Sequence, residues 1–252
     1  MIAALSQFAL SPLTFLGEVS ILLWEGVRRM FQRPFEGSET ISQMAFIGVA
    51  SVPIVLITSF ASGAVLSLYL APLLLRSGAG ELQGAMIALT VCREVGPVIA
   101  GIMVSARCGS AMAAQIGSMA VTEQIDALRA LAVHPYNYLL VPRLVASVIM
   151  LPMLGMVADF SGLIGGMVVA WSKGIPSTQF WRSVEVYAEP RDFTGGLVKT
   201  AIFGLIITVV ACQQGLRTTG GAVGVGRATT NAVVISMVLV YIANYFLAAW
   251  IY

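Results

Sequence analysis

The chain has 252 residues, of which 10% are charged and 58% are apolar, and its mean hydropathy is +0.89. A soluble domain carries roughly 25% charged residues, so this chain has too few charges to cover a water-facing surface. The composition excludes an ordinary soluble enzyme and a disordered chain, and it indicates an integral membrane protein of several helices. The net charge of +2 is too small to indicate nucleic-acid binding.

The N-terminal stretch, Met1 to about Leu16, lacks the cationic start of a secretory signal, so we expect no cleavage. Residues 15–31 predict an amphipathic helix that lies in the membrane interface, because polar and apolar side chains fall on different sides. The polar set is Glu18, Glu25, Arg29 and Gln32, and the apolar set is Leu16, Val19, Leu23, Val27 and Met30. We expect Pro34 and the polar run Glu36–Thr40 to end this helix.

Five longer apolar segments follow, and each can cover a hydrocarbon core that needs roughly 20 helical residues. They are Met44–Leu75, Ala85–Ser105, Leu144–Trp171, Leu197–Gln213 and Ala232–Ile251. The predicted fold class is therefore an all-α integral membrane protein with five transmembrane helices. We expect a single domain over residues 1–252, with the interfacial helix in about the first 40 residues.

The basic residues outside the apolar segments predict the orientation. Eight lie on the side where the first segment starts: Arg28, Arg29, Arg33, Arg107, Arg129, Arg143, Arg217 and Arg227. Four lie on the opposite side: Arg76, Lys173, Arg182 and Arg191. The positive-inside rule then places the N-terminus in the cytoplasm, and an odd number of spans places Tyr252 on the far side.

Two connections carry further signals. Residues 117–142 are too polar to span, and we expect a cytoplasmic helix over about 117–135, with Thr122 as its N-cap, Glu123 in its first turn and Pro135 as its stop. On the far side, Lys173–Asp192 carries Trp181 and Tyr187, which is typical of an interfacial excursion and equally of a solvated loop.

Small residues recur every fourth position from the second predicted span outward and again in the third span, which lets another backbone approach closely. The rows are Gly101, Ser105, Gly109, Ala113 and Gly117, with Ala106, Ser110, Ala114 and Ser118 beside them, and then Ala158, Gly162, Gly166 and Ala170. They indicate either an interface across a dimer axis or packing within one chain.

The strongest single feature is the run Arg93-Glu94-Val95-Gly96-Pro97 inside an apolar segment. A charged side chain near the bilayer centre costs about 2.5–3.5 kcal/mol, so these two charges should face protein, water or a polar ligand. Neighbours in a helix point about 100° apart, so Arg93 and Glu94 need not pair with each other. Pro97 has no N–H to donate to the Arg93 carbonyl, and either Lys199 or Asp159 can complete this polar locus.

No residue set predicts catalysis. The single histidine, His134, is expected to cap carbonyls at a helix end, and the three cysteines, Cys92, Cys108 and Cys212, to pack as small apolar residues. The glycine-rich run at residues 220–226 follows a membrane helix and lacks the lysine of a phosphate-binding loop. ATP hydrolysis by that route would need another subunit.

Three blocks of sequence together resemble the MlaE (YrbE) permeases, the membrane subunits of ABC transporters that work with MCE-domain lipid-binding proteins. They are residues 93–98 (REVGPV), 107–119 (RCGSAMAAQIGSM) and 122–128 (TEQIDAL). Shorter matches are Pro142-Arg143, residues 171–174 and residues 226–230. The resemblance covers nearly the whole chain from about Phe15.

The resemblance implies a homodimer or a dimer with a close paralogue, one cytoplasmic ATPase per permease that binds ATP and Mg, and no cofactor in this chain. It also implies a hexamer of MCE domains on the far face and a small STAS-domain protein on the ATPase. The segment around Thr122–Leu131 becomes the coupling helix, with contacts at Glu123, Gln124, Asp126 and Arg129. Asn244 departs from the pattern, since some relatives carry an acid there, which weakens a role in handling charge.

The expected function is movement of phospholipid between a bacterial inner membrane and a periplasmic MCE pathway, with a chloroplast inner envelope as the less favoured location. Arg93 and Lys199 would attract the headgroup, Glu94 would orient Arg93, and Tyr69 and Leu66 would line the acyl part of the cavity. The alternative is a secondary transporter that uses Asp159, Glu94 and Lys199 as an ion relay. A structural scaffold explains neither the intramembrane charges nor the coupling segment.

Overall fold

A computed structural model describes residues 2–30, 36–132 and 134–252, with side chains described from Thr14 onwards. All regular secondary structure in these ranges is helical. After the N-terminal helix α1 (Ile2–Met30), five stretches are long and apolar enough to cross a membrane: Gly37–Arg76, Gly80–Val121, Pro135–Ser172, Pro190–Leu216 and Gly221–Ile251. We call them the first to fifth spans. The predicted fold class, with five long apolar helices, is confirmed.

Short irregular turns divide the first three spans. The first contains α2 (Gly37–Ile47), a 3₁₀ turn at Val49–Ser51 and α3 (Val52–Arg76). The second begins with a 3₁₀ turn at Gly80–Leu82 and contains α4 (Gln83–Thr90), α5 (Gly96–Val104) and α6 (Ser110–Val121), separated by π-helical turns at Val91–Val95 and Ser105–Gly109. A short helix, α7 (Gln124–Ala130), leads to the third span, which contains α8 (Pro135–Leu139) and α9 (Val141–Ser172).

The last two spans are continuous helices. The connection after α9 carries α10 (Ser177–Tyr187), the fourth span is α11 (Pro190–Leu216), and the fifth span is α12 (Gly221–Ile251). Because successive spans cross in opposite directions, α7 and the turn before α12 lie on the face where the first span begins, which we call the near face. The start of the second span, α10 and Tyr252 lie on the opposite, far face.

The third and fourth spans form the centre of the bundle. In their most apolar stretches 56% and 67% of the residues are buried, against 28% in the first span and 17% in the fifth. The central core joins side chains from all five spans, among them Val55, Val104, Leu151, Phe203 and Val240. The first and fifth spans therefore present most of their apolar surface outwards, to lipid or to another protein.

The rows of small residues serve packing within the chain. Gly101 contacts Phe203 and Val240, and Gly109 contacts Ile207, so the row in the second span faces the fourth and fifth spans. In the third span, Gly162 approaches the backbone of Gly63 in the first span so closely that a Cβ at Gly63 would overlap it. Of the two interpretations, intrachain packing is the one that this structure shows for these rows.

Several predicted boundaries were wrong. The second span runs on to Val121, so Arg107 lies within it, where its guanidinium donates to the Phe46 carbonyl at 2.8 Å and to Ser51 Oγ at 3.0 Å. The polar run Glu36–Thr40 begins the first span because Gly37–Thr40 are already helical, whereas Gln32 and Pro34 lie outside the described residues. On the far side, the segment Lys173–Asp192, predicted to be an interfacial excursion or a solvated loop, contains an amphipathic helix, α10, which buries Phe180.

The near-face connection also differs from the prediction of one helix over about 117–135. Thr122 follows the last turn of α6 and donates its hydroxyl to the Ser118 carbonyl, so it is not an N-cap. Glu123 then adopts a left-handed conformation with φ 59°, which breaks the helix. His134 directly precedes Pro135 at the start of α8, and no side-chain capping hydrogen bond is present there. The three cysteines are free and buried, as expected.

The contact between Gly63 and Gly162 makes a testable prediction about stability. In Gly63→Ala the added methyl group meets the Gly162 backbone, which cannot rotate away, so we expect a loss of about 1–3 kcal/mol from overpacking. Gly226→Ala is the matched control, because nothing lies within 4 Å of its Cβ position and alanine favours a helix by about 1 kcal/mol over glycine. Thermal unfolding in detergent should therefore shift down for the first variant and not for the second; equal shifts would contradict the packing role.

Candidate functional site

The π-helical turn at Val91–Val95 and the proline that follows it expose backbone acceptors inside the second span. Pro97 is the second residue of α5 and has no N–H, so the regular helical hydrogen bond to the Arg93 carbonyl cannot form. Lys199 of the fourth span occupies this position instead, and its Nζ donates to the Arg93 carbonyl at 2.8 Å. The local defect in one helix is thus satisfied by a charged side chain from another.

Lys199 is completely buried and forms an ion pair with Glu94. Its Nζ lies 2.8 Å from Glu94 Oε1, and the other oxygen of that carboxylate accepts a hydrogen bond from Asn244 Nδ2 at 2.7 Å. Both oxygens of Glu94 are therefore engaged, one by the fourth span and one by the fifth. A buried ammonium needs such acceptors because its desolvation costs several kcal/mol.

Arg93 pairs with Asp192, the third residue of the fourth span. Its Nε and its Nη2 lie 2.8 Å and 2.7 Å from Asp192 Oδ1. The second oxygen of Asp192 accepts the Glu189 N–H at 2.9 Å, which makes Asp192 part of the capping box that starts the helix. Asp192, the partner of Arg93, is thus fixed by the first turn of α11.

Tyr252 closes this group of polar residues on the far side. Its hydroxyl donates to the Asp192 carbonyl at 2.9 Å, and the Arg93 guanidinium lies 4.6 Å from the centre of its ring. The Lys199 ammonium lies 5.2 Å from the same ring centre, so both cations gain a cation–π contact. We call the whole set the polar cluster: Arg93, Glu94, Asp192, Lys199, Asn244 and Tyr252.

The partners within the polar cluster are not those expected from sequence. Glu94 was expected to orient Arg93, but Glu94 pairs with Lys199 and it is Asp192 that fixes the guanidinium. Asp192 and Tyr252 were missed as site residues. The signal available for Asp192 was its place three residues after Glu189, directly behind Pro190 and Arg191, which is typical of a helix start.

The charges of the polar cluster differ in their access to a ligand. The Arg93 side chain is 38% exposed and that of Glu94 is 42% exposed, whereas Lys199 is inaccessible. Lys199 is therefore a buried cation held within the bundle, and Arg93 is the accessible cation of the polar cluster.

An apolar groove of about 420 Å³ lies between the first and second spans. Leu66 and Val95 line it, and Val95 directly follows Glu94 in the chain. Tyr69, one helical turn beyond Leu66, is 75% exposed and does not line the groove. Of the two residues expected to contact acyl chains, the structure thus places only Leu66 in this groove.

Asp159 lies apart from the polar cluster. Its side chain is 1% exposed, and neither carboxyl oxygen has a hydrogen-bond partner among the described residues. It packs against Gly96, where a Cβ would overlap its Oδ1. Lys199, and not Asp159, completes the locus around Arg93 and Glu94.

The near face carries the four residues expected to contact an ATPase. Glu123 precedes α7, whose Asp126 and Arg129 form an exposed ion pair at 2.8 Å. Ala132, just beyond α7, has φ 58°, so the two non-glycine residues with left-handed backbone in the described chain flank this helix. Such conformations cost about 1–3 kcal/mol and concentrate at functional segments.

The interfacial helix α1 is tied to the near end of the fourth span. Glu18 forms an ion pair with Arg217 at 2.9 Å and accepts a hydrogen bond from Gln213 at 2.9 Å. Farther along α1, the hydrogen bond from Arg29 lowers the pKa of Glu25. A groove of about 420 Å³ runs between α1, α7 and the end of α11. The polar side of α1 thus faces protein as well as water.

These features define a multi-pass membrane protein built as a permease, with charges inside the bundle and a short exposed helix on one face. The family comparison specifies the class further: residues 40–250 match the model of the family described as Permease MlaE. The chain belongs to this family. It is the non-catalytic transport subunit of an ABC transporter, which implies a partner ATPase.

The similar proteins agree with this assignment. A probable ABC transporter permease protein of Rickettsia felis is 42% identical over 91% of this chain and 89% of its own length. A probable ABC transporter permease protein of Synechocystis is 41% identical over 83% and 80%. The chloroplastic protein Trigalactosyldiacylglycerol 1 of Arabidopsis thaliana is 34% identical over 93% of this chain and 67% of its own length.

A double-mutant cycle tests the buried ion pair. Glu94→Gln leaves the Lys199 ammonium buried without its anionic partner, so we expect a clear loss of thermal stability in detergent. Breaking a fully buried pair costs about 3–5 kcal/mol, and the partial exposure of Glu94 places this loss at or below that range. The double variant Glu94→Gln/Lys199→Met removes the unpaired charge and should be more stable than Glu94→Gln alone. Strictly additive losses would contradict the pairing.

Proposed function

We propose that the chain moves phospholipids between a bacterial inner membrane and a periplasmic pathway of MCE-domain proteins. The observation that carries this proposal is that one turn of the second span carries both a partly exposed Arg93 and Val95, which lines an apolar groove, since a phospholipid presents an anionic phosphate joined to acyl chains. The similarity to the Arabidopsis relative supports a lipid substrate, because the name of that relative refers to the lipid trigalactosyldiacylglycerol.

The phosphate would bind to Arg93. A guanidinium has five N–H donors, of which Asp192 engages two, so three remain for a ligand. Arginine binds phosphate with paired, charge-assisted hydrogen bonds, and these strengthen where water is scarce. Lys199 would act through the Arg93 carbonyl and Glu94, as a positioning residue for the turn that carries Arg93.

The acyl chains would lie along the groove lined by Leu66 and Val95 and would reach Tyr69 only by extending beyond it. The groove is made of small and mostly apolar side chains, among them Ala61 and Val65, and its one hydroxyl, that of Ser62, already donates to the Thr58 carbonyl. A cation at one end and an apolar channel at the other orient an amphipathic ligand. Asn244 would keep Glu94 in place from the fifth span.

The assembly would be a homodimer with one cytoplasmic ATPase per copy, which binds ATP and Mg, and with a hexamer of MCE domains on the far face. A small STAS-domain protein would bind the ATPase. The outward-facing apolar surfaces of the first and fifth spans support a second copy in the membrane, for example at Tyr241 and Tyr245, which are 57% and 70% exposed. The near face, with most of the basic residues, would be cytoplasmic.

The segment formed by Glu123 and α7 would transmit closure of the ATPases to the spans. Its exposed pair, Asp126 and Arg129, and the neighbouring Leu131, which is 73% exposed, provide polar and apolar contacts on one short helix. The left-handed conformations at Glu123 and Ala132 set the angle of this helix to the bundle. Gln124, the first residue of α7, completes the contact surface.

A secondary transporter remains the less supported alternative. Its relay would need Asp159 in contact with Glu94 and Lys199, but the Asp159 carboxyl has no hydrogen-bond partner among the described residues. Membership of an ABC permease family also favours an ATP-driven process.

Removal of the exposed cation tests the lipid site. Arg93→Ala should lower phospholipid transfer from proteoliposomes to an MCE acceptor by at least tenfold, because the headgroup loses its charge-assisted hydrogen bonds. Arg93→Lys should retain an intermediate rate, since it keeps the charge and loses the paired geometry. The control is Arg76→Ala, an exposed arginine at the far end of the first span. Unchanged transfer by an assembled Arg93→Ala complex would contradict the assignment.

Charge reversal on α7 tests the coupling segment. Arg129→Glu should leave the basal ATPase rate of the complex intact but uncouple it from lipid transfer, because the pair with Asp126 becomes a repulsion at the ATPase contact. Arg28→Glu, an exposed reversal elsewhere on the near face, should leave the coupling intact. A photo-crosslinker at Leu131 should capture the ATPase. A cross-link pattern that places this segment away from the ATPase would refute the role.

A further inference from the structure

The Asp159 carboxyl is not part of the site proposed above. Its buried surroundings determine whether this carboxyl is ionised or neutral. It lies near the middle of α9 and is 1% exposed, with both oxygens unpartnered among the described residues. A buried carboxylate without a cation or hydrogen-bond donors carries a desolvation cost of several kcal/mol. The neutral carboxylic acid avoids most of that cost.

The neighbouring charged and titratable groups are engaged elsewhere. On the second span, Arg93 pairs with Asp192 and Glu94 pairs with Lys199, while the Cys92 thiol lies close enough to interact electrostatically with Asp159. On the first span, the Ser59 hydroxyl donates to the carbonyl of Ala158, the residue before Asp159. Among the described residues, no cation is paired with Asp159.

The second span offers a place for a proton. Gly96 has no side chain, and the position its Cβ would take is occupied by Asp159 Oδ1. The Val91 carbonyl of the π-helical turn lies 3.1 Å from that same position and accepts the Gly96 N–H, which leaves a second lone pair. Asp159 Oδ1 and the Val91 carbonyl thus both border the open position at Gly96, where a protonated acid would face an acceptor and an ionised one would face a repelling oxygen.

We propose that Asp159 is a proton-binding site, at which one proton is held between the third span and the turn at Gly96–Pro97 of the second span. The packing of these two spans depends on that proton, because loss of it creates an unpaired anion beside a carbonyl oxygen. Arg93 and Glu94 lie three and two residues before Gly96, in the π-helical turn that directly precedes it. Protonation of Asp159 would therefore act on the polar cluster through this backbone and not through a bond to it.

The sign of the pH dependence follows from which state binds the proton. In the native protein Asp159 keeps its proton at neutral pH, whereas an unfolded aspartate has lost it above pH of about 4. The native state therefore binds one proton more than the unfolded state. The equilibrium constant for folding then falls by up to about tenfold for each unit by which the pH is raised. This decline continues until the native carboxyl itself ionises.

Infrared difference spectroscopy on the purified permease complex tests the proposal directly. The carbonyl stretch of a protonated carboxylic acid lies apart from the bands of carboxylates and amides. We expect this band in the wild-type protein at neutral pH, its loss in Asp159→Asn, and its retention in Asp192→Asn, which removes a buried but ion-paired carboxylate. The same band in wild type and Asp159→Asn, or its absence from wild type, would overturn the proposal.

Two further measurements test the proton at Asp159 without relying only on the infrared spectrum of Asp159→Asn. The wild-type band should disappear as pH is raised, which needs no substitution. The thermal midpoint of the wild type should also fall with rising pH more steeply than that of Asp159→Asn, whose neutral amide has the same shape, while Asp192→Asn keeps the wild-type slope. Equal slopes in wild type and Asp159→Asn would overturn the role in packing. None of these readouts involves lipid transfer, so they stand or fall separately from the proposed function.

Discussion

The complete burial of the Lys199 ammonium is the constraint on which the site depends. An ammonium inside an apolar bundle is tolerated only where acceptors surround it, and here both acceptors, the Glu94 carboxylate and the Arg93 carbonyl, come from one turn of the second span. Asn244 adds the fifth span through the same carboxylate. One cation thus fixes the relative positions of three spans. Because Lys199 occupies Glu94, Arg93 pairs with Asp192 instead.

The acceptors exist because the second span is locally irregular. In an unbroken helix the Arg93 carbonyl would be used by the residue four positions on, but that residue is Pro97. The absence of side chains at Gly96 and Gly196 lets the third and fourth spans approach the same turn, since a Cβ at Gly196 would overlap the Cys92 carbonyl. The site therefore depends on three features together: Pro97 lacks an N–H, Gly96 and Gly196 lack side chains, and Lys199 places a charge inside the membrane span.

The sequence predicts the parts of the site that are local or chemically exceptional. Arg93, Glu94 and Lys199 are conspicuous because charges are rare in membrane spans, and the free carbonyl follows from Pro97 alone. The choice of partners depends on how each helix is rotated, which hydropathy does not encode, so Asp192 was missed as the partner of Arg93. The helix break at Glu123 was missed for a different reason, because glutamate carries no turn signal and its left-handed conformation is imposed by the surrounding fold.

The position of Asp192 gives the proposed lipid site a mechanical consequence. One of its oxygens binds Arg93 and the other completes the capping box of the fourth span. A phosphate bound by the three remaining donors of the guanidinium would share its positive charge with Asp192, which weakens the first of these bonds and leaves the second intact. Ligand binding would therefore weaken the link between the second and fourth spans at the far face, while Lys199 and Glu94 maintain it deeper in the bundle. In the proposed site, the two spans would then separate from the far face inwards.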